Sequence, residues 1–299
     1  MYICQQRQEW FHDFARSERE DPLPFVGSIA LTENVESAAA RIRTALGFDI
    51  EERRRLPTWT TDALRRFIEQ ADAVGVLVMV SGVVRNNNRR KLDPDEFRGF
   101  ALADELAPLV FVNGADSKSA QMFTLAHELA HIWLGQSALS DVRPASSPSN
   151  EVEIWCNRIA AELLVPLEAV RQEYRARAAL HDKTSRLARQ FKVSTLVVLR
   201  RIRDAGGLTR EQFPQAYEEE LDRLGAIEKG SGGDFYLTQA ARLGKRFARA
   251  IVRSTLEGQT SFTEAFRLLG FKKMATFRRL KSASGPSESQ ATLSEGMTC

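Results

Sequence analysis

The sequence is short of the residues that staple small or secreted folds. Its three cysteines, Cys4, Cys156 and Cys299, are odd in number, far apart and in no C-x-x-C pair. That excludes a disulfide framework or a zinc knuckle and leaves free thiols. No apolar run reaches the roughly 18 residues that a membrane span requires. The opening Met1-Tyr-Ile-Cys-Gln-Gln-Arg7 lacks the charged-then-apolar order of a signal peptide. A cytoplasmic protein with no membrane segment is expected. Histidine is scarce too, at four residues: His12, His127, His131 and His181.

Two of those four stand in Phe123-Thr-Leu-Ala-His-Glu-Leu-Ala-His-Ile-Trp-Leu-Gly135. At helical pitch, His127 and His131 fall on one face one turn apart, where both imidazoles can share a metal ion. Glu128 beside them completes H-E-x-x-H, the pattern in which two neutral imidazoles bind Zn²⁺ and the carboxylate serves as general base for water. The neighbours Phe123, Leu125, Ala126, Leu129, Ala130, Ile132, Trp133 and Leu134 are apolar on all sides, which predicts a buried helix. Buried histidines need partners, and core hydrogen bonds are a poorer explanation of this pairing than a metal.

A catalytic zinc site holds three protein ligands and leaves one position open. The extended layout H-E-x-x-H-x-x-G-x-x-H fails, because Leu134 and Ser137 occupy the positions of its glycine and third histidine, and Gly135 reads as a helix C-cap. Downstream, Glu151-Val-Glu153-Ile-Trp-Cys-Asn157-Arg-Ile-Ala-Ala-Glu162-Leu-Leu-Val-Pro166 reads as a second buried helix. Glu153 and Asn157 share a face of it, so Glu153 can ligate while Asn157 holds the outer nitrogen of a ligand histidine. Glu151, Asp141, Glu162 and Cys156 stay open as alternatives.

With these residues the chain resembles the ImmA/IrrE family of zinc metallo-endopeptidases. The resemblance covers roughly residues 60 to 170 and rests on Phe123–His131 together with Glu153–Pro166; the pair Trp155-Cys156 departs from the family's usual smaller or charged residues. It implies a gluzincin-like peptidase that holds one Zn²⁺ per chain on His127, His131 and Glu153, with Glu128 as catalytic base. It also implies cleavage of a helix-turn-helix transcriptional repressor, relieving repression in stress, mobile-element or toxin–antitoxin regulation. Longer relatives begin with their own repressor domain, and this chain reads as starting after that point, so the repressor is expected to be a separate protein.

Outside the motifs, helices are expected over 1 to 20, 33 to 46 (ended by Gly47) and 62 to 73, with proline linkers at Asp21-Pro-Leu-Pro-Phe25 and Leu56-Pro-Thr-Trp-Thr-Thr61. Short strands are expected at Val76–Ser81, Phe97–Leu102 and Leu109–Val112, and Asp116 is the expected cap of the H-E-x-x-H helix. A free strand edge beside a zinc helix is a place for an extended peptide to pair.

Charge is unevenly distributed behind a net +3: residues 1 to 170 carry 18 basic and 25 acidic side chains, 171 to 203 ten and two, 204 to 237 three and eight, and 238 to 283 eleven and two. Residues 183 to 204 read as helix, tight turn at Lys192-Val-Ser194, then helix, similar to the helix-turn-helix module that follows the peptidase in that family. Leu187, Ala188, Phe191, Val193, Val198 and Ile202 fall at its inner positions, and Arg200, Arg201 and Arg203 are candidates for phosphate contact. Along Thr238–Leu256, Leu243, Phe247, Ala250 and Ile251 form an apolar stripe, and Arg242, Lys245, Arg246, Arg249 and Arg253 take other faces.

The expected fold is α+β: a mostly helical zinc-peptidase domain with a small three-stranded sheet, then a helix-turn-helix-like module and a C-terminal helical block. The divisions are 1–58, an N-terminal helical region; 59–170, the metallopeptidase domain; 171–210, the helix-turn-helix-like module; 211–235, an acidic linker; 236–283, the basic helical block; and 284–299, a disordered tail. The rival reading is a regulatory DNA- or protein-binding protein, antitoxin-like, with a structural or vestigial zinc site. The basic blocks favour the rival; an intact Glu128, useless to a structural site, opposes it.

Overall fold

The computed structural model describes residues 1–57, 61–84, 87, 89–140, 150–174, 177–225 and 242–284. Among them lie thirteen helices and a four-stranded mixed sheet. The first half of the chain gives α1 (Tyr2–Ser17), α2 (Val35–Leu46), α3 (Ile50–Arg54), α4 (Thr61–Ala73), β1 (Leu77–Ser81), β2 (Gly99–Leu102), β3 (Leu109–Asn113) and α5 (Lys118–Leu134). Then come β4 (Ala138–Ser140), α6 (Glu151–Leu164), α7 (Leu167–Glu173), α8 (Leu180–Phe191), α9 (Thr195–Asp204), α10 (Gln212–Gly225), α11 (Lys245–Leu256), α12 (Phe262–Leu269) and α13 (Met274–Ser284). No helix among the described residues is long and apolar enough to cross a membrane.

The strand order is β1-β3-β2-β4, with β1 parallel to β3 and β2 antiparallel to both β3 and β4. β1, β2 and β3 are buried throughout, and alternation sends their side chains to two opposite faces. Val78, Val80, Ala101, Val110 and Val112 join one core with α2, α4, α5, α6, α8 and α9. Leu77, Met79, Phe100, Leu102, Leu109 and Phe111 join another, built from α1 and α11–α13. The sheet is therefore the middle layer, and the two ends of the described chain meet on its back. The buried Arg7 ties them, donating from Nε to Leu268 O at 2.9 Å and from Nη1 to Arg242 O at 3.2 Å.

The three expected strands are present within two residues at either end. The fourth, β4, was not expected; it pairs Ala138, Leu139 and Ser140 with Ala101, Phe100 and Gly99, so the outer edge of β2 is taken by the chain itself. Gly47 ends α2 and Gly135 ends α5 in left-handed conformations, as expected. The cap of α5 is Ser117, whose hydroxyl accepts from Ala120 N, and not Asp116, which instead accepts from Ser117 N and pairs with Arg98 at 3.6 Å. The expected proline linker after α1 is a strap: Gly27 N donates to Ile132 O, Ile29 N to Trp133 O, and Phe25 stacks on Trp133 at 4.4 Å.

The first half of the expected acidic linker is a helix, α10. Its Tyr217 and Glu220 are buried, and Glu220 accepts from Thr195 Oγ1 and pairs with Arg223, so the acidic run has a packed face as well as a solvated one. Asp141, the Trp59 linker and the segment from Gly285 onward lie outside the described residues, as does Cys299.

Candidate metal centre

α5 carries His127, Glu128 and His131 through the middle of the protein, all three fully buried. Two features fix its position: the strap across its C-terminal turn, where Gly27 and Gly135 pack backbone to backbone, and α6, which lies against it. α6 starts with Asn150 accepting from Val152 N, and that places Glu153 in its first turn, facing α5.

The four-residue spacing brings the two imidazoles to 4.9 Å between centroids, with their planes 64° apart. Their Nε2 atoms are 3.2 Å apart. Glu153 closes the triangle, with Oε2 at 3.1 Å from His127 Nε2 and Oε1 at 3.3 Å from His131 Nε2. Donors bound tetrahedrally about 2.0–2.1 Å from one zinc ion stand roughly 3.3–3.4 Å from one another. The Nε2–Nε2 separation is close to that edge length, each imidazole has one Glu153 oxygen at a similar distance, and the donor set, two imidazoles and a carboxylate, is one that zinc accepts. Among the described residues, these three form a cluster suited to a metal ion.

The charge states agree. Burial holds the His127 pKa below its ordinary value, against the opposing pull of Glu153, so the ring is neutral at pH 7 as a ligand must be. Burial would raise the Glu153 carboxyl, but its bonds to His127 and His131 prevail and bring it down to about 2. Glu153 keeps 22% of its side chain accessible while the histidines keep none, so the cluster meets solvent on the carboxylate side.

The other candidates are placed elsewhere. Glu162 is buried against Arg201 and receives Leu167 N, and Glu151 is exposed at the start of α6. Cys156 is fully buried, and burial, then the charges of Glu153 and Glu128, push its thiol strongly upward. It is not one of the residues whose ligand atoms converge with those of His127, His131 and Glu153. Asn157 faces His127 and favours its protonated form, yet its Oδ1 and the Nδ1 atoms of both histidines make no hydrogen bond.

Residues 71–203 match the IrrE N-terminal-like peptidase domain. The IrrE-like domain thus runs from the end of α4 through α9 and contains every residue of the cluster. Residues 243–282 match a second family, a domain of unknown function (DUF8813), which spans α11–α13. No curated protein matches the chain.

Within the IrrE-like domain the helix-turn-helix-like unit folds as expected: Lys192 turns the chain at φ 56°, and all six expected inner residues are buried. Of its three candidate phosphate contacts, one is turned inward. Arg201 points inward to Glu162 and Val165 O, which corrects its assignment as an exposed cation. Arg200 lies over Tyr217 at 5.3 Å and Arg203 over Phe213 at 4.5 Å, both rings belonging to α10.

One residue of the site was missed. A Cβ on Gly99 would come within 2.6 Å of Thr124 Cγ2, 2.7 Å of Phe111 O and 3.0 Å of Glu128 Oε1. Glycine at this strand position lets α5 and the Glu128 carboxylate lie directly on β2. The signal was available, since glycine inside a strand marks close approach of another group.

Proposed function

We propose that the chain is a zinc-dependent endopeptidase in which His127, His131 and Glu153 hold one ion and Glu128 is the general base. The observation that carries the reading is the cluster of two imidazoles 3.2 Å apart at Nε2, each with a Glu153 oxygen at 3.1 or 3.3 Å, next to a wholly buried Glu128. The match of residues 71–203 to an IrrE-like peptidase domain supports it.

When bound, zinc would supply Lewis acidity, lowering the pKa of water from 15.7 to about 7 and polarising a peptide carbonyl. Glu128 accepts the proton that the attacking water gives up and returns one to the departing amine. Asn157 lies on the face of α6 that meets His127. The substrate is a helix-turn-helix repressor, as the ImmA/IrrE resemblance implies, and the reaction takes place in the cytoplasm. The regulatory-protein alternative gives no use to a buried carboxylate beside the ligands, because a structural zinc site needs no base.

The test is to combine purified protein and one equivalent of zinc with candidate repressors and to measure metal content and cleavage separately. Glu128→Gln should keep stoichiometric zinc and lose cleavage by about 10²–10⁴-fold. Glu153→Ala should lose the zinc itself. Cleavage by Glu128→Gln at the wild-type rate would end the assignment of the base.

A further inference from the structure

We propose that α12 and α13 form a helix-turn-helix that docks on duplex DNA, independently of the peptidase reading. The two helices are joined by residues 270–273, with Gly270 left-handed at φ 70° and Phe271 N bonded back to Phe266 O at 3.0 Å. Such a four-residue turn containing glycine is the usual joint of that motif. α11 packs against both helices, and Leu268, Phe271, Phe277 and Leu280 face inward with Phe247 and Ile251 of α11. The three-helix unit coincides with the second matched family, residues 243–282.

What faces outward is cationic. Between residues 271 and 284 stand Lys272, Lys273, Arg278, Arg279 and Lys281 and no acidic residue, all five exposed. Lys272, Lys273, Arg278 and Lys281 have no ion pair among the described residues. Three of the four cations of α11 differ in this respect: Lys245 pairs with Glu69, Arg246 with Glu20 and Arg253 with Glu18.

α9 makes the comparison decisive. It is the second helix of the other unit, but it is covered by α10 and its Arg201 is internal. α13 presents the arrangement a major groove accepts: a protruding helix, with lysines on the turn before it and basic residues along its outer face to meet phosphates. Phe277 and Leu280 point into the unit, while Met274 and Phe262 are exposed beside the cations, so binding to an anionic membrane surface is the competing outcome that the experiment separates from duplex binding.

The experiment measures anisotropy of a fluorescein-labelled 24-base-pair duplex with the full chain at 50 and 200 mM salt. Four phosphate contacts predict a slope of log K on log salt near −3.6, or roughly a hundredfold loss of affinity across that range. Lys272→Ser/Lys273→Ser/Arg278→Ser/Lys281→Ser should weaken binding at least tenfold and flatten the slope, while Arg200→Ser/Arg203→Ser leaves both unchanged. If the quadruple variant melts early, Lys272→Ser/Lys273→Ser and Arg278→Ser/Lys281→Ser separately should each reduce the slope by about two. The proposal is overturned if these variants bind like wild type, if the α9 variant is the one that loses binding, or if polyglutamate or phosphatidylserine vesicles compete as well as unlabelled duplex.

Discussion

Glu128 and Glu153 carry the same functional group in different surroundings, and the difference fits the roles proposed for them. Glu153 has solvent on one side and two imidazoles on the other, which keep it ionised as a ligand. Glu128 is sealed between α5 and the strand that carries Gly99. The position of Glu128 therefore depends on a residue with no side chain. Gly99→Ala forces a methyl against Thr124 Cγ2 and the Phe111 carbonyl, an overpacking that costs about 1–3 kcal/mol and lifts α5 from β2. His127, His131 and Glu153 sit on α5 and α6, which move together. The expected outcome is near-normal zinc content with reduced turnover, read by metal analysis beside a cleavage assay, and partial recovery when Thr124→Ser is added. His127 and His131 were legible in the sequence as a pair because helical spacing aligns them; for Gly99 the sequence offered only a glycine within an expected strand, and which groups press on it is set by residues far apart in the chain.

Elements were legible where one periodicity dominates. The stripes of α5, α6, α8 and α11 predict their buried faces, and the left-handed glycines predict two helix ends. α10 was hidden because Glu218-Glu-Glu220 reads as solvated charge, whereas Glu220 is held inward by Thr195 and Arg223. β4 was hidden because three residues are too few to show alternation. Between elements, the seam of α1 with the sheet contains a titratable pair, His12 Nδ1 at 3.0 Å from Asp104. Burial alone would raise the Asp104 carboxyl, but His12 and the amides of Ala107 and Leu106 outweigh it and hold it below its ordinary value. A depressed carboxyl stabilises the fold above its unfolded pKa of about 3.9 and loses that contribution as pH falls through its folded value. Asp104→Asn keeps an acceptor for both amides and drops the charge. Its melting temperature should lie below wild type at pH 6, with the gap closing toward pH 3.

At the scale of the molecule, the sheet is a shared wall with the helices that carry His127, His131 and Glu153 on one side and the two ends of the described chain on the other. Sequence reading treated those ends as separate regions, because nothing local announces that Arg7 will meet Leu268 or that Trp10 Nε1 will donate to Thr260 at 3.2 Å. The consequence is that a substitution on the far side weakens the fold that holds the site. Phe247, fully buried against the back of the sheet, should cost about 3–5 kcal/mol when changed to alanine. Denaturant titration should show that loss with an unchanged zinc stoichiometry in the folded population.

The order of synthesis gives the three-layer arrangement one more effect. The helices that carry the ligands have left the ribosome long before α13 has been made, and at roughly 5–20 residues per second the delay is on the order of ten seconds. Throughout it, the greasy reverse of the sheet, with Leu77, Met79, Phe100 and Phe111, has no cover from α11–α13. A newborn chain in that interval is a client for a holding chaperone, and any message that stops short of α11 should yield protein that is retained or degraded instead of reaching the three-layer fold.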